Sequence, residues 1–176
     1  MRVGVRVVSE DDLDTLTELA VANREFLAPW EPRRDEAYYT REHQAELLGA
    51  VLRQHAARTA LPGAITLDGA IVGRVNVFNI VRGPFCSGDL GYWVDRAHVG
   101  RGIGTAAVGA IARLAFREFG LHRLQAGTLV HNAGSQRVLQ RNGFTRIGLA
   151  PGYLQIDGRW QDHILFQLID ESPCRW

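Results

Sequence analysis

The chain has 176 residues, 46% of them hydrophobic and 22% charged, with a formal net charge of +1. Such a length and apolar content suit one globular domain, residues 1–176, with a core that needs neither disulfide nor metal. Near-neutrality excludes broad attraction to nucleic acid or an anionic membrane, so a charged partner has to be recognised locally. No apolar run reaches the roughly 18 residues of a membrane span, and MRVGVRVVSEDDLD reaches acidic residues too early for a signal peptide. Cys86 and Cys174 are far apart and lack C-x-x-C spacing, which reads as free thiols in a reducing, cytoplasmic compartment.

In chain order, Val3 to Val8 alternates as a first strand, and Ser9 followed by Glu10, Asp11 and Asp12 has the form of an N-cap with acid in the first turn. Leu13, Leu16 and Ala20 carry that helix until LAPWEPRRD, with two prolines, ends it. A second helix is predicted from about Thr40 to Arg58 on the stripe Leu47, Leu48, Val51 and Leu52. From Pro62 the period changes: GAITL and AIVGRVNVFNI flank Asp68-Gly69, the signal of a type I′ hairpin. After the loop VRGPFCSG, DLGYWVD reads as a strand entering the glycine segment HVGRGIG. A helix is predicted over Thr105 to about Phe119, a strand over Arg123 to Val130, and a short helix over Ser135 to Asn142 that Gly143 closes. The strand FTRIGLA follows, then a second Asp-Gly turn at Asp157-Gly158 and a last strand over Asp162 to Ile169.

Glycines between a strand and a helix leave backbone N–H groups bare, and with the helix dipole these bind phosphate; a tight turn with no ligand is the alternative. A P-loop fails, because Gly104 is followed by Thr105-Ala106 rather than Lys-Ser or Lys-Thr. A dinucleotide fingerprint fails too: Gly102-x-Gly104-x-x-Ala107 does not follow the first strand directly, and Val130-His131 stands where a ribose-binding acid belongs.

Val99-Gly100-Arg101-Gly102-Ile103-Gly104 resembles the Gln/Arg-x-x-Gly-x-Gly/Ala pyrophosphate loop of the GCN5-related N-acetyltransferases (GNAT) in every position but the first. Phe26 to Pro32 (FLAPWEP), HNAGSQRVLQRNGF and GYLQIDGRWQDHILFQL are similar, in order, to segments of the RimJ/RimL branch, the ribosomal-protein N-terminal alanine acetyltransferases. The resemblance implies an α/β (α+β) GNAT fold: a mixed sheet of about seven strands, splayed in the middle and flanked by four helices. It implies acetyl-CoA as cofactor and direct transfer of acetyl to an amine, with the N-terminal α-amine of a protein favoured. A small-molecule amine acetyltransferase and a non-catalytic acyl-CoA-binding sensor are the alternatives, and a homodimer is expected.

On that resemblance the N–H groups of Gly100, Arg101, Gly102, Ile103, Gly104 and Thr105 take the diphosphate, with Val99 at the variable first position, and main-chain groups of Tyr92, Trp93 and Val94 bond the pantetheine arm. The side chains of Tyr92 and Trp93 read as aromatic core in at least one case. Asn132 is expected to bond the arm and Ser135 to protonate the leaving thiolate, with helix capping as their alternative role and Tyr153 as the runner-up acid. Asp89, Glu25 and Glu31 are candidates to hold the acceptor ammonium, His131 lies just after the central strand, and Trp30 belongs to the acceptor-facing loop. The histidines and Cys86 lack metal-ligand spacing, so no metal is inferred.

Overall fold

The computed structural model describes residues 1–172. Seven strands form one sheet: β1 (Val3–Val7), β2 (Leu61–Leu67), β3 (Ala70–Val81), β4 (Ser87–Val94), β5 (Arg123–Leu129), β6 (Thr145–Ile156) and β7 (Arg159–Ile169). Their order is β1-β2-β3-β4-β5-β7-β6, and only β4 and β5 run parallel. Five helices accompany them: α1 (Leu13–Ala22), α2 (Arg24–Leu27), α3 (Arg41–Ala56), α4 (Ile103–Arg117) and α5 (Ala133–Arg141). The expected four are all present; the single turn α2 is the addition.

One face of the sheet is covered by α4, whose Ile103, Ala107, Val108, Ile111, Ala112 and Ala115 are buried against β2, β3 and β5 side chains such as Ile65, Val75, Val77 and Leu124. Full burial of a large aliphatic side chain contributes about 1.5–3 kcal/mol. A stripe of that kind offsets the two internal glycines, Gly104 and Gly109, which cost roughly 1 kcal/mol each in a helix. Gly109 has a packing reason: a Cβ there would meet Asn142 Oδ1 at 2.7 Å. Asn142 in turn donates from Nδ2 to the carbonyls of Thr105 (3.1 Å) and Val138 (2.9 Å), tying α5 to the first turn of α4. The opposite face is covered by α1 and α3, where Leu16 and Leu48 pack with Val8 and Ala64.

Both Asp-Gly turns have positive φ at their two central residues, Asp68 (49°) and Gly69 (95°), Asp157 (48°) and Gly158 (75°), the backbone a type I′ hairpin requires. Several boundaries move for identifiable reasons. The first helix begins with a 3₁₀ turn at Glu10–Asp12, and the cap works in reverse, the Asp12 carboxylate accepting from Ser9 N at 2.8 Å while pairing with both terminal nitrogens of Arg6. α4 begins two residues early, since Gly102 at φ 77° serves as its N-cap. α5 begins at Ala133 because Asn132, not Ser135, is the cap: its Oδ1 accepts from Ser135 N at 3.0 Å. β4 begins at Ser87 and β7 at Arg159, both earlier than expected. Among the described residues no cysteine is free, which corrects the expectation of a free thiol at Cys86; Cys174 lies outside them. No helix among the described residues is long and apolar enough to cross a membrane.

Candidate active site

Strands β4 and β5 pair only at their starts, Ser87, Gly88 and Asp89 against Arg123, Leu124 and Gln125. From there they part, as expected for a splayed sheet, and the opening holds a cavity of about 810 Å³. Side-chain alternation sends Asp89, Gly91 and Trp93 of β4 to the same face as their β3 partners Phe78, Asn76 and Arg74. Leu90 and Tyr92 point to the other, toward α4 and α5. All of these line the cavity, which therefore passes through the sheet from one face to the other.

On the α4 side lies the glycine turn. Gly100 and Gly102 have φ of 78° and 77°, and a Cβ built on either would meet nothing within 4 Å. Glycine is thus required here by backbone conformation, and it leaves the turn open on its outer side. Among the described residues no hydrogen bond occupies the N–H groups from Val99 to Thr105; the first α4 amide bonded in its own turn is that of Ala106, to Gly102 O at 3.1 Å. Seven bare amides at the positive end of a 15-residue helix fit a diphosphate. The turn is held from behind: buried Asn23 accepts from Arg96 N at 2.8 Å, and Asp95 accepts from Ala97 N and lies 3.3 Å from His98 Nδ1. Residues Val99 to Thr105 do not themselves line the cavity, nor does Val94. Gly104 connects them to it, its Cβ position lying 3.9 Å from the Tyr92 ring.

Where the cavity meets α5, the Tyr92 Oη and Ser135 Oγ atoms are 2.7 Å apart, and Tyr92 Oη also reaches Ser135 O at 3.2 Å. Burial pushes the Tyr92 phenol up to about 12, opposed by the Ser135 bond, so the phenol stays protonated across the neutral range. Its ring packs against the main core, as expected for an aromatic core residue, but its hydroxyl faces Ser135. Sequence reasoning gave Tyr92 a main-chain role and a core ring but no role for its hydroxyl; a tyrosine alternating to the α5 face was the available signal. Asn132 joins Ser135 on the cavity wall, its Oδ1 engaged as the cap and its Nδ2 left as a donor. Asp89 sits at the crotch of the two strands and accepts from Asn79 Nδ2 at 3.0 Å.

The opposite mouth is formed by the loop after α2 and the β6–β7 hairpin, joined by the bond from Asp157 N to Glu31 O at 3.0 Å. Trp30, Glu31 and Tyr153 line the cavity here; His131 is not part of the wall, its ring lying 5.6 Å from that of Trp30. Glu25 does not join them: it is exposed on α2, outside the wall, because the turn directs Leu27 inward instead. Burial pushes the Glu31 carboxyl above the ordinary carboxylate range, against the pull of Arg34 and Arg74. Among the lining residues that escaped the sequence reading are Arg34, Tyr38 and Arg74. For Arg74 the signal was a charged residue inside GRVNVFN, an otherwise sheet-interior run.

The family described as "Acetyltransferase (GNAT) domain" matches residues 2–145. Over 179 aligned positions the chain is 38% identical to the ribosomal protein uS5-alanine N-acetyltransferase of Escherichia coli (strain K12), covering 99% of this chain and 92% of that protein. The crystal structure of ribosomal-protein-S5-alanine acetyltransferase from Vibrio fischeri superposes with a TM-score of 0.93 at 34% identity, over 98% of this chain and 95% of that one. Mycobacterium smegmatis RimJ in complex with CoA-disulfide gives 0.92 at 31% identity, over 98% and 84%. A glycine turn with bare amides at the head of α4, a sheet opened beyond Asp89, and agreement with these proteins along nearly the full chain lead to one assignment: the chain belongs to the GNAT acetyltransferase family.

Proposed function

We propose that residues 1–176 act as a single acetyl-CoA-dependent domain that acetylates the N-terminal α-amine of a protein, of the ribosomal-protein-alanine kind. The observation that carries this reading is the through-sheet cavity, with a hydroxyl pair at one side and a carboxylate-bearing loop at the other. The relatives' names add support, since two of them are ribosomal-protein alanine acetyltransferases.

Acetyl-CoA supplies an activated thioester. The chain's part begins with the amides from Gly100 to Thr105, which hold the diphosphate, with Arg101 beside them and Val99 at the entry. The freed edge of β4 at Tyr92, Trp93 and Val94 offers main-chain groups to the arm, and Asn132 Nδ2 donates to it. A backbone N–H on that edge is the oxyanion donor; losing such a donor costs about 10²–10³ in rate. Ser135 Oγ holds the proton for the departing thiolate, and Tyr92, neutral at working pH, donates to Ser135 Oγ as its charge develops. Glu31 and Asp89 receive the acceptor's ammonium. An α-amine, with a pKa near 7.7–8, is already partly neutral where a lysine near 10.4 is not, so weak base assistance suffices.

Cytoplasmic location accompanies this reading through the relatives' ribosomal substrates, and so does a homodimer, for which exposed Ile147, Leu149 and Leu154 on the edge strand β6 offer a face. The test is incubation with acetyl-CoA and a panel of N-terminal peptides, lysine-only peptides and small amines, following thiol release and acetylated product. Peptide α-amines are expected to be the best acceptors. Faster turnover of a small amine assigns the second class, and binding with no thiol release on any amine assigns a sensor.

A further inference from the structure

Among the described residues Arg74 is the one arginine that the sheet carries into the cavity, placed mid-strand in β3 between Ala64 of β2 and Trp93 of β4. Its Nε is buried and has no hydrogen-bond partner, and its guanidinium forms no ion pair among the described residues. Burial works against its charge, while Tyr38 and Glu31 act in the other direction from a distance. Glu31 attracts it but forms no hydrogen bond or ion pair with it among the described residues. A second cation stands nearby: the Arg34 guanidinium lies 4.5 Å from the Tyr38 ring centroid, and it too has no ion pair among the described residues. The other acid of the wall, Asp89, is bonded to Asn79 at the strand crotch. The acceptor mouth thus places two guanidiniums that form no ion pair among the described residues beside Glu31, with Asp89 engaged by Asn79, and the half-buried Arg74, whose buried Nε has no partner, gains from an incoming carboxylate that it can receive bidentately.

We propose that Arg74 selects the acceptor: it receives a carboxylate carried within the first few residues after the acetylated amine, so that the site takes acidic N-terminal peptides ahead of neutral or basic ones. The placement supports this range. Trp93, the cross-strand partner of Arg74, is one residue from Tyr92, which bonds Ser135 on the other face, and an extended peptide advances about 3.3 Å per residue. Polyamines and other polycations meet two like charges at the mouth and are rejected. The inference rests on the reading of the cavity as a peptide α-amine site.

The experiment uses the full chain with acetyl-CoA and three peptides identical except at their second residue, Ala-Asp, Ala-Asn and Ala-Lys, each scored by kcat/KM. The wild type is expected to favour Asp over Asn by about tenfold, the effect of one charge-assisted contact, with Lys slowest. Arg74→Met should bring the Asp/Asn ratio to near one, and Arg74→Glu should make Lys the preferred residue; melting temperatures establish that the variants are folded. Because the Asp/Asn ratio of the wild type is itself decisive, a variant that fails to fold does not rescue the idea. Equal rates on all three peptides, or a preference that survives Arg74→Met, overturns the assignment of Arg74 and leaves peptide acetylation standing. Turnover of small amines with none of any peptide overturns both.

Discussion

Replacing Ser135 by Ala removes the hydroxyl 2.7 Å from Tyr92 Oη and leaves that phenol with only the longer bond to Ser135 O. The structural cost is small, because Tyr92 retains an acceptor: about 0.5–1.5 kcal/mol, the net worth of one neutral hydrogen bond. The kinetic cost is far larger if Ser135 Oγ supplies the proton, about 10²–10⁴ in kcat. Tyr92→Phe leaves the serine in place without its donor, and its loss is expected to be smaller, roughly tenfold, the effect of about 1.4 kcal/mol. Since Tyr92 acts through Ser135, the double variant should be no slower than Ser135→Ala alone, the strong non-additivity of groups that work as a unit. Thiol release under saturating acetyl-CoA gives kcat, and calorimetry with coenzyme A gives affinity, which all three variants should keep within a few-fold. Two results refute the reasoning: a Ser135→Ala enzyme within tenfold of wild type at unchanged coenzyme affinity, or single losses that multiply in the double variant.

Gly102→Ala places a Cβ at φ 77° in open space, so its cost is backbone strain alone, about 1–2 kcal/mol; thermal melting should show that loss, and calorimetry a weaker grip on coenzyme A. Asp12 is held below the ordinary carboxylate range chiefly by its hydrogen bonds to Arg6, so the pair's contribution is present above the unfolded pKa near 3.9 and is lost as pH falls through the lower folded value. With the Arg6 side chain 47% exposed, screening brings the contribution to about 1–2 kcal/mol, and Asp12→Asn should flatten that acid limb in denaturant titrations against pH. Glu31 behaves oppositely: burial raises its folded pKa, so the stability it contributes is full below the unfolded value and is lost as pH rises through the folded one. Glu31→Gln should therefore raise the melting temperature at neutral pH while removing an ascending limb from the pH profile of kcat/KM; a variant that melts lower at neutral pH contradicts the burial argument.

Local signals in the sequence determined the pieces that depend on backbone chemistry. Asp68-Gly69 and Asp157-Gly158 announce hairpins because few residues adopt positive φ twice in succession, and Gly100 and Gly102 announce a turn with bare amides for the same reason. Alternation marked β1, and the stripe of Leu47, Leu48, Val51 and Leu52 marked α3, since those periods are set within a few residues. The order of such segments, with the Asn132–Ser135 spacing, was enough for the family resemblance. Tertiary structure alone decided what strands do to one another after they meet. That β4 and β5 pair for just three residues, and so where the splay implied by the resemblance begins, depends on crossover packing between segments more than thirty residues apart. So does the meeting of the Tyr92 hydroxyl with Ser135, and the exclusion of Glu25 from a wall that Glu31 joins. Arg74 shows the division most plainly: its charge is written in the chain, but its lack of a partner is a property of everything that folds around it.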